Sequence, residues 1–296
     1  MTMRTFVADL PHGISLTCRT AARPPAAGAP RVLLLHGFPE AAFVWDEVIG
    51  LVGEAALCWA PQLRGYVGSS APAEVSAYRA KHLVADLVAL AALMAQPGAP
   101  LDLLVAHDWG GAAAWALAAQ RPELLRRLLI INSPHPATFL RELKSNPAQQ
   151  KASAYMNFLC RPDAEALLAE NDFARLWPFL GEPAWLTAAV REQYRATWRG
   201  GLTGPLNYYR ASPLRPQSGA DEALRQIVLD DGSVTVRVPT HVLWGERDRA
   251  LLPALLDGLE RWVPALSVER VPEASHWIVH EQPARVATTI RRLLAP

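Results

Sequence analysis

Only three cysteines, Cys18, Cys58 and Cys160, occur in this chain of 296 residues. They stand far apart with no CxxC spacing, which leaves no zinc-ligand pattern and no disulfide framework. Small buried hydrophobes are the ordinary role of such cysteines, and the odd count fits a reducing compartment. An excess of charge is missing too: 29 Lys and Arg stand against 28 Asp and Glu, for a formal net charge of +1. That balance gives no electrostatic footprint for nucleic acid or an anionic membrane, and no run of like charges restores one. No stretch of about 20 uninterrupted apolar residues is present, so no membrane insertion is expected. "LVADLVALAALMA" is apolar, but it is short and carries Asp86, and it reads as an amphipathic core helix. The N-terminal "MTMRTFVADLPHG" lacks the continuous apolar region of a secretory signal. The expectation is a soluble cytoplasmic protein.

What is present is ordinary globular composition, 51% hydrophobic and 19% charged. "RTFVADL" and "ISLTCRTA" alternate around the turn signal "PHG" and read as a hairpin. Six apolar runs then follow: "RVLLLHGFP", "ALCWAP", "LDLLVAH", "LRRLLIINSP", "THVLWGERD" and "LSVERVPEA". Continuous apolar runs ending in Gly, Pro or polar turns are the mark of parallel strands buried on both faces. Helical stretches separate most of them: "AYRAKHLVADLVALAALMA", "GGAAAWALAAQRPELL" and "LLPALLDGLERWV". Alternating strand and helix indicates an α/β protein with a mostly parallel central sheet. The alternation fails between residues 137 and 235, which are helix-forming and strand-poor, and a segment that long is not a loop. The chain therefore reads as one α/β core, residues 1–136 and 236–296, with a helical cap inserted over residues 137–235.

Asp108, in "AHDWGGA", sits where the third apolar run gives way to an alanine-rich helix. An aspartate there could cap the helix through its carboxylate. It could equally be a nucleophile on a tight strand-to-helix elbow, flanked by the small residues Ala106 and Gly110, with Ala106 replacing the usual first glycine. The Trp109 backbone N–H would then face an oxyanion. Asp248 follows the fifth run and His276 the sixth; alone, each reads as a turn or loop residue. Together the three stand in the order nucleophile, acid, histidine, each after a strand, which is the order of the α/β-hydrolase triad. His276 is preferred to the nearby His280, which falls at the start of a helix, because ligands of open α/β sheets bind at the carboxyl ends of strands. "HGFPE", residues 36–40, also follows a strand; the Phe38 N–H would complete an oxyanion hole with Trp109, and Phe38–Pro39 is a candidate cis peptide.

"HGFPE", "LRGYVGSS", "HDWGG", "NSPHP", "NYYR", "GERD" and "SHW" together resemble the signature set of α/β-hydrolase-fold epoxide hydrolases, over roughly residues 31–283. The resemblance implies Asp108 as nucleophile, Asp248 as acid and His276 as base. It implies two cap tyrosines holding the epoxide oxygen, matched by Tyr209 of "NYYR" and, in a looser motif, by Tyr155. It implies an apolar epoxide and water as substrates, a vicinal diol as product, a covalent Asp108 ester between them, and no metal or cofactor. The nearest rival is a haloalkane or fluoroacetate dehalogenase, which shares the aspartate elbow but needs N–H donors for halide, such as Trp109 or the cap's Trp177, Trp185 and Trp198. The "NYYR" tyrosine favours the epoxide. A serine esterase is disfavoured because Asp108 occupies the serine position. A non-catalytic ligand sensor or scaffold predicts decay of at least one catalytic position, and each is occupied by a competent residue.

Overall fold

The computed structural model describes residues 2–94, 99–216 and 223–295. Its strands are β1 Met3–Asp9, β2 Ser15–Ala21, β3 Arg31–Leu35, β4 Leu57–Pro61, β5 Leu103–His107, β6 Leu128–Ile131, β7 Thr240–Gly245 and β8 Leu266–Val271. They form a single sheet in the order β1-β2-β4-β3-β5-β6-β7-β8. The β1–β2 and β2–β4 pairs are antiparallel, and every other pair is parallel. Burial on both faces explains the apolar runs of β3, β5, β6 and β7, whereas β8, expected as another buried strand, lies at the sheet edge and is largely exposed. Val32 and Leu34 of β3, Leu103 and Val105 of β5, and Leu129 and Ile131 of β6 feed one core. The alternate residues Leu33, Leu35, Leu104, Ala106, Leu128 and Ile130 feed the other.

The first core is covered by α1 (Asp46–Val52) and, from the C-terminus, by α14 (Pro283–Leu294), which pack on each other. The second is covered by α2 (Ala80–Met94) and α3 (Asp108–Gln120). Between β6 and β7 the described residues hold helices and no strand: α4 Pro136–Ser145, α5 Pro147–Ala152, α6 Tyr155–Leu159, α7 Ala164–Phe173, α8 Trp177–Leu180, α9 Ala188–Arg199, α10 Thr203–Ala211, α11 Ala223–Gln226 and α12 Asp231–Val234. Residues 217–222 of the expected 137–235 cap lie outside the described residues. A four-residue helix, α13 (Ile278–Glu281), precedes α14.

Two sequence expectations are corrected. "LLPALLDGLERWV" is not a helix but two short 3-10 turns, Pro253–Leu256 and Leu259–Arg261. Pro253 lacks the N–H that would bond back into a preceding turn, and Gly258 at φ +70° breaks the path between them. The helix-forming character expected across residues 137–235 also breaks within α7, which loses its regular geometry at Glu170, beyond which Asn171 and Asp172 take left-handed φ values, a conformation short polar side chains tolerate.

Candidate active site

The carboxyl ends of β3, β5, β6, β7 and β8 converge on Asp108. The residue stands at the β5–α3 junction with φ +48°, left-handed backbone that lifts its side chain out of both elements. Small neighbours make this turn possible. A Cβ on Gly110 would lie 2.6 Å from the His36 carbonyl oxygen, and one on Gly37 would collide with Asp108 itself. Ser133 Oγ, past the end of β6, donates to the Asp108 carbonyl oxygen at 2.7 Å and ties the turn to the sheet.

The two carboxylate oxygens of Asp108 face different partners. Oδ1 accepts the Phe38 backbone N–H at 2.7 Å, and the Trp109 N–H also bonds the carboxylate. Oδ2 lies 3.8 Å from His276 Nε2. Burial pushes the Asp108 carboxyl above the ordinary aspartate range; His276, His107 and the two backbone donors recover part of that cost. The Phe38–Pro39 peptide is cis.

His276 follows β8, and its Nδ1 donates to Asp248 Oδ2 at 2.6 Å. Asp248 follows β7 and is held from three sides: Oδ2 accepts from Asn132 Nδ2 at 2.9 Å, and Oδ1 accepts from the Ala250 and Leu251 N–H groups at 2.8 and 2.9 Å. Its burial favours protonation, but the His276 charge, its hydrogen bond and these donors outweigh that and keep the carboxyl below its usual range. Burial likewise opposes charge on His276, yet Asp248, Asp108 and Glu40 outweigh it and lift the imidazole to about 9. His280, the alternative histidine, is elsewhere: it lies on α13, bonds Tyr194 at 2.9 Å, stacks on Trp185, and is pushed by burial down to about 4.

Tyr155, at the start of α6, and Tyr209, on α10, line the same cavity as Asp108 and Trp109, with ring centroids 6.1 Å apart. Burial raises both phenols well above their usual range, with the Asp108 charge adding to it. Hydrogen bonds act the other way, from Tyr209 on Tyr155 and from the Trp109 side chain on Tyr209. Tyr208, the other tyrosine of "NYYR", donates its hydroxyl to the Arg64 carbonyl at 2.9 Å and is committed to packing.

Three supporting residues escape a reading of the sequence. Asn132, with φ +36°, accepts from the Gly245 N–H at 2.8 Å while gripping Asp248, so it locks β6 to β7 at the acid. Glu40 Oε2 meets His107 Nδ1 at 2.8 Å, both fully buried, and His107 Nε2 donates to the His276 carbonyl at 2.9 Å. Burial disfavours the Glu40 charge, but His107 outweighs it and takes that carboxyl down to about 2. The letters of both lie inside "HGFPE" and "HDWGG"; their pairing across 67 residues does not.

The α/β hydrolase fold family model matches residues 30–283. The Bacillus subtilis AB hydrolase superfamily protein YfhM is 36% identical, over 96% of this chain and 95% of its own length. Epoxide hydrolase 3 of Xenopus tropicalis is 32% identical, over 90% of this chain and 71% of its own. A solved structure of Bacillus megaterium epoxide hydrolase, bound to an inhibitor, superposes with a TM-score of 0.86 at 30% identity, covering 98% of this chain and 99% of that one. The chain belongs to the α/β-hydrolase-fold epoxide hydrolase family.

Proposed function

We propose that the protein hydrolyses epoxides to vicinal diols through a covalent ester on Asp108. One observation carries this reading: a carboxylate held by the Phe38 and Trp109 N–H groups, with Oδ1 on Phe38, facing a cavity across which stand two buried phenols. Asp108 Oδ2 attacks an epoxide carbon and breaks its C–O bond. The departing oxygen, a stronger base than phenolate, takes its hydrogen bond or proton from Tyr209 and Tyr155, whose raised affinities keep them protonated until then. Ester formation removes the Asp108 charge, and with it one cause of the raised His276 affinity. The imidazole becomes free to take a proton from water at Nε2. That water attacks Asp108 Cγ; Oδ1 becomes the oxyanion, already seated on the Phe38 N–H, with the Trp109 N–H on the same carboxylate, an effect of about 3 kcal/mol per donor. The acyl C–O bond breaks, the expelled oxygen takes the proton held on His276 Nε2, the second proton of the attacking water restores the phenol, and the diol leaves with Asp108 again a carboxylate.

Residues 137–235 serve as the cap that supplies both phenols. The dehalogenase reading is the weaker one, because its halide would need free indole N–H groups. Those of Trp177 and Trp198 are given to the Asp172 and Pro39 carbonyls, and the Trp109 side chain bonds Tyr209; the Trp185 indole N–H has no partner, but Trp185 stacks on His280 and does not line the cavity in front of Asp108.

The test is trapping. With styrene oxide, His276→Gln is expected to gain the mass of one epoxide on Asp108, and Asp108→Ala to show neither adduct nor turnover. A histidine variant that stays active without an adduct would sink the mechanism. In a single turnover in heavy-oxygen water, the first diol is expected to be unlabelled, because its new oxygen comes from Asp108. Chloroalkanes and fluoroacetate, assayed beside the epoxides, are expected to release no halide.

A further inference from the structure

The cavity in front of Asp108 has a volume of about 590 Å³ and reaches along α3. Its long wall is a single face of α3. Ala112, Ala116 and Ala119 follow Asp108 at steps of four, four and three residues, so they line one stripe of the helix. These three are half-buried, while the residues between them are buried. Each puts only a methyl group into the space, so this face is a floor and not a plug. Gln120 and Arg79, both exposed, stand where the cavity meets solvent. Twelve steps of helix place Gln120 about 18 Å from Asp108 along the axis. The facing wall is also apolar: Leu83 of α2, Leu214 after α10, and Leu229 and Val234 around α12.

Behind the two phenols the described residues place aromatic rings. Phe38 packs edge-on against Tyr209 at 5.2 Å and against Phe179 at 6.4 Å. Phe179 packs edge-on against Tyr155 at 5.4 Å, and its carbonyl accepts the Trp277 indole N–H at 3.0 Å. None of Phe38, Phe179 and Trp277 belongs to the cavity wall. They form a backstop behind the two phenols.

We propose that the substrate is a monosubstituted epoxide, with one long apolar tail laid along the alanine face of α3 and only hydrogen on the other ring carbon. This rests on the epoxide reading above and adds the substrate class to it. A tail in the channel exchanges water for apolar walls at every methylene, whereas a second substituent would have to displace the aromatic backstop.

The experiment compares kcat/KM for 1,2-epoxybutane, 1,2-epoxyhexane and 1,2-epoxydecane in the wild type, Ala116→Phe and Ala119→Phe. The wild type is expected to gain up to about fourfold per added methylene. Ala116→Phe is expected to hold 1,2-epoxybutane within about threefold and to lose about 100-fold on 1,2-epoxydecane, whose tail it blocks. Ala119→Phe, nearer the mouth, is expected to affect 1,2-epoxydecane alone. The internal isomer trans-5,6-epoxydecane is expected to fall at least about tenfold below 1,2-epoxydecane in the wild type. A flat chain-length series, or an internal isomer turned over as well as the terminal one, overturns the proposal. Absence of turnover with every epoxide, 1,2-epoxybutane included, overturns the epoxide reading itself and the tail with it. If Ala116→Phe does not fold, Ala119→Phe and the wild-type series decide.

Discussion

His276 and Asp108 share one charge balance, and the order of steps follows from it. In the resting protein the imidazole, lifted to about 9, is charged at neutral pH and lies opposite a carboxylate. That is the wrong state for a base and the right one for waiting. Once Asp108 is esterified, the ring loses one of its partners and its proton affinity falls, so hydrolysis requires a pH above this lowered value. Ester formation requires that Asp108, itself raised above the ordinary aspartate range, be ionised. In a series from about pH 5 to 8, the ester fraction in wild-type protein mixed with epoxide is therefore expected to peak below neutral pH, where Asp108 is ionised and the imidazole of the ester still charged, and to clear as pH rises; acid-quench mass spectrometry reads the fraction. The same shift has a stability consequence. A histidine whose folded affinity lies above its unfolded value of 6.5 stabilises the fold fully below that pH, and the contribution is lost as pH rises through about 9. Tyr209→Phe and Tyr155→Phe are each expected to slow ester formation by about 10²-fold or more, with the rate of ester hydrolysis unchanged, since the phenols act only on the epoxide oxygen. Equal slowing of both steps would argue that these tyrosines are packing groups.

At the scale of elements, α10 aims Tyr209, and a glycine contact aims α10. Gly204, in its first turn, lies so close to Gly65 that any Cβ would collide with the Gly65 carbonyl. Gly65 itself is at φ +87°, with Tyr78 against it. Gly204→Ala must therefore lift α10 off the loop after β4 or strain it, at a cost of about 1–3 kcal/mol. The expected result is a lower thermal midpoint together with slower ester formation, while Tyr209→Phe slows the chemistry and leaves the midpoint nearly unchanged. None of this contact was legible from the sequence, where Gly204 and Gly65 are merely glycines 139 residues apart. What was legible were features with local causes. The central strands showed as apolar runs because the sheet buries both their faces, and the elbow showed because only small residues fit beside Asp108. The Leu251–Val263 segment misled because its leucine spacing suits a helix, while Pro253 and Gly258 decide otherwise. Nothing local marked α1, while the helix expected to start at His280 is α13 followed by α14, in which apolar Val286, Ala287 and Ile290 alternate with arginines at helical spacing. The role of α1 and α14, covering the first core, depends on pairing with each other across the chain.

At the scale of the whole molecule, the inserted helices do not rest on the core as a separate body. Leu159, Leu168, Tyr194 and Leu206 belong to the same buried cluster as Leu33 and Leu104 of the sheet. Polar groups interlock across the junction in both directions. Arg141 of α4 donates to the Asp257 and Ala254 carbonyls at 2.6 and 2.9 Å, and Gln149 of α5 both donates to Ala250 O and accepts from Leu252 N. Trp198 of α9 donates to the Pro39 carbonyl at 2.8 Å, beside Phe38, whose N–H bonds Asp108. Removing the inserted helices would therefore strand buried apolar surface and orphan buried polar partners together, each orphan costing about 1–3 kcal/mol. One cooperative unit is the consequence. In urea, far-UV circular dichroism and the near-UV aromatic signal are expected to be lost in one coincident transition. The aromatic probe samples both regions, with Trp177, Trp185 and Trp198 among the inserted helices and Trp45, Trp115 and Trp244 in the core. An early step removing part of the aromatic signal alone would mean that the helices melt independently, and that the phenols are held in place by something weaker than this shared core. Coincident loss would mean that the geometry bringing Tyr155 and Tyr209 over Asp108 carries the stability of the entire fold.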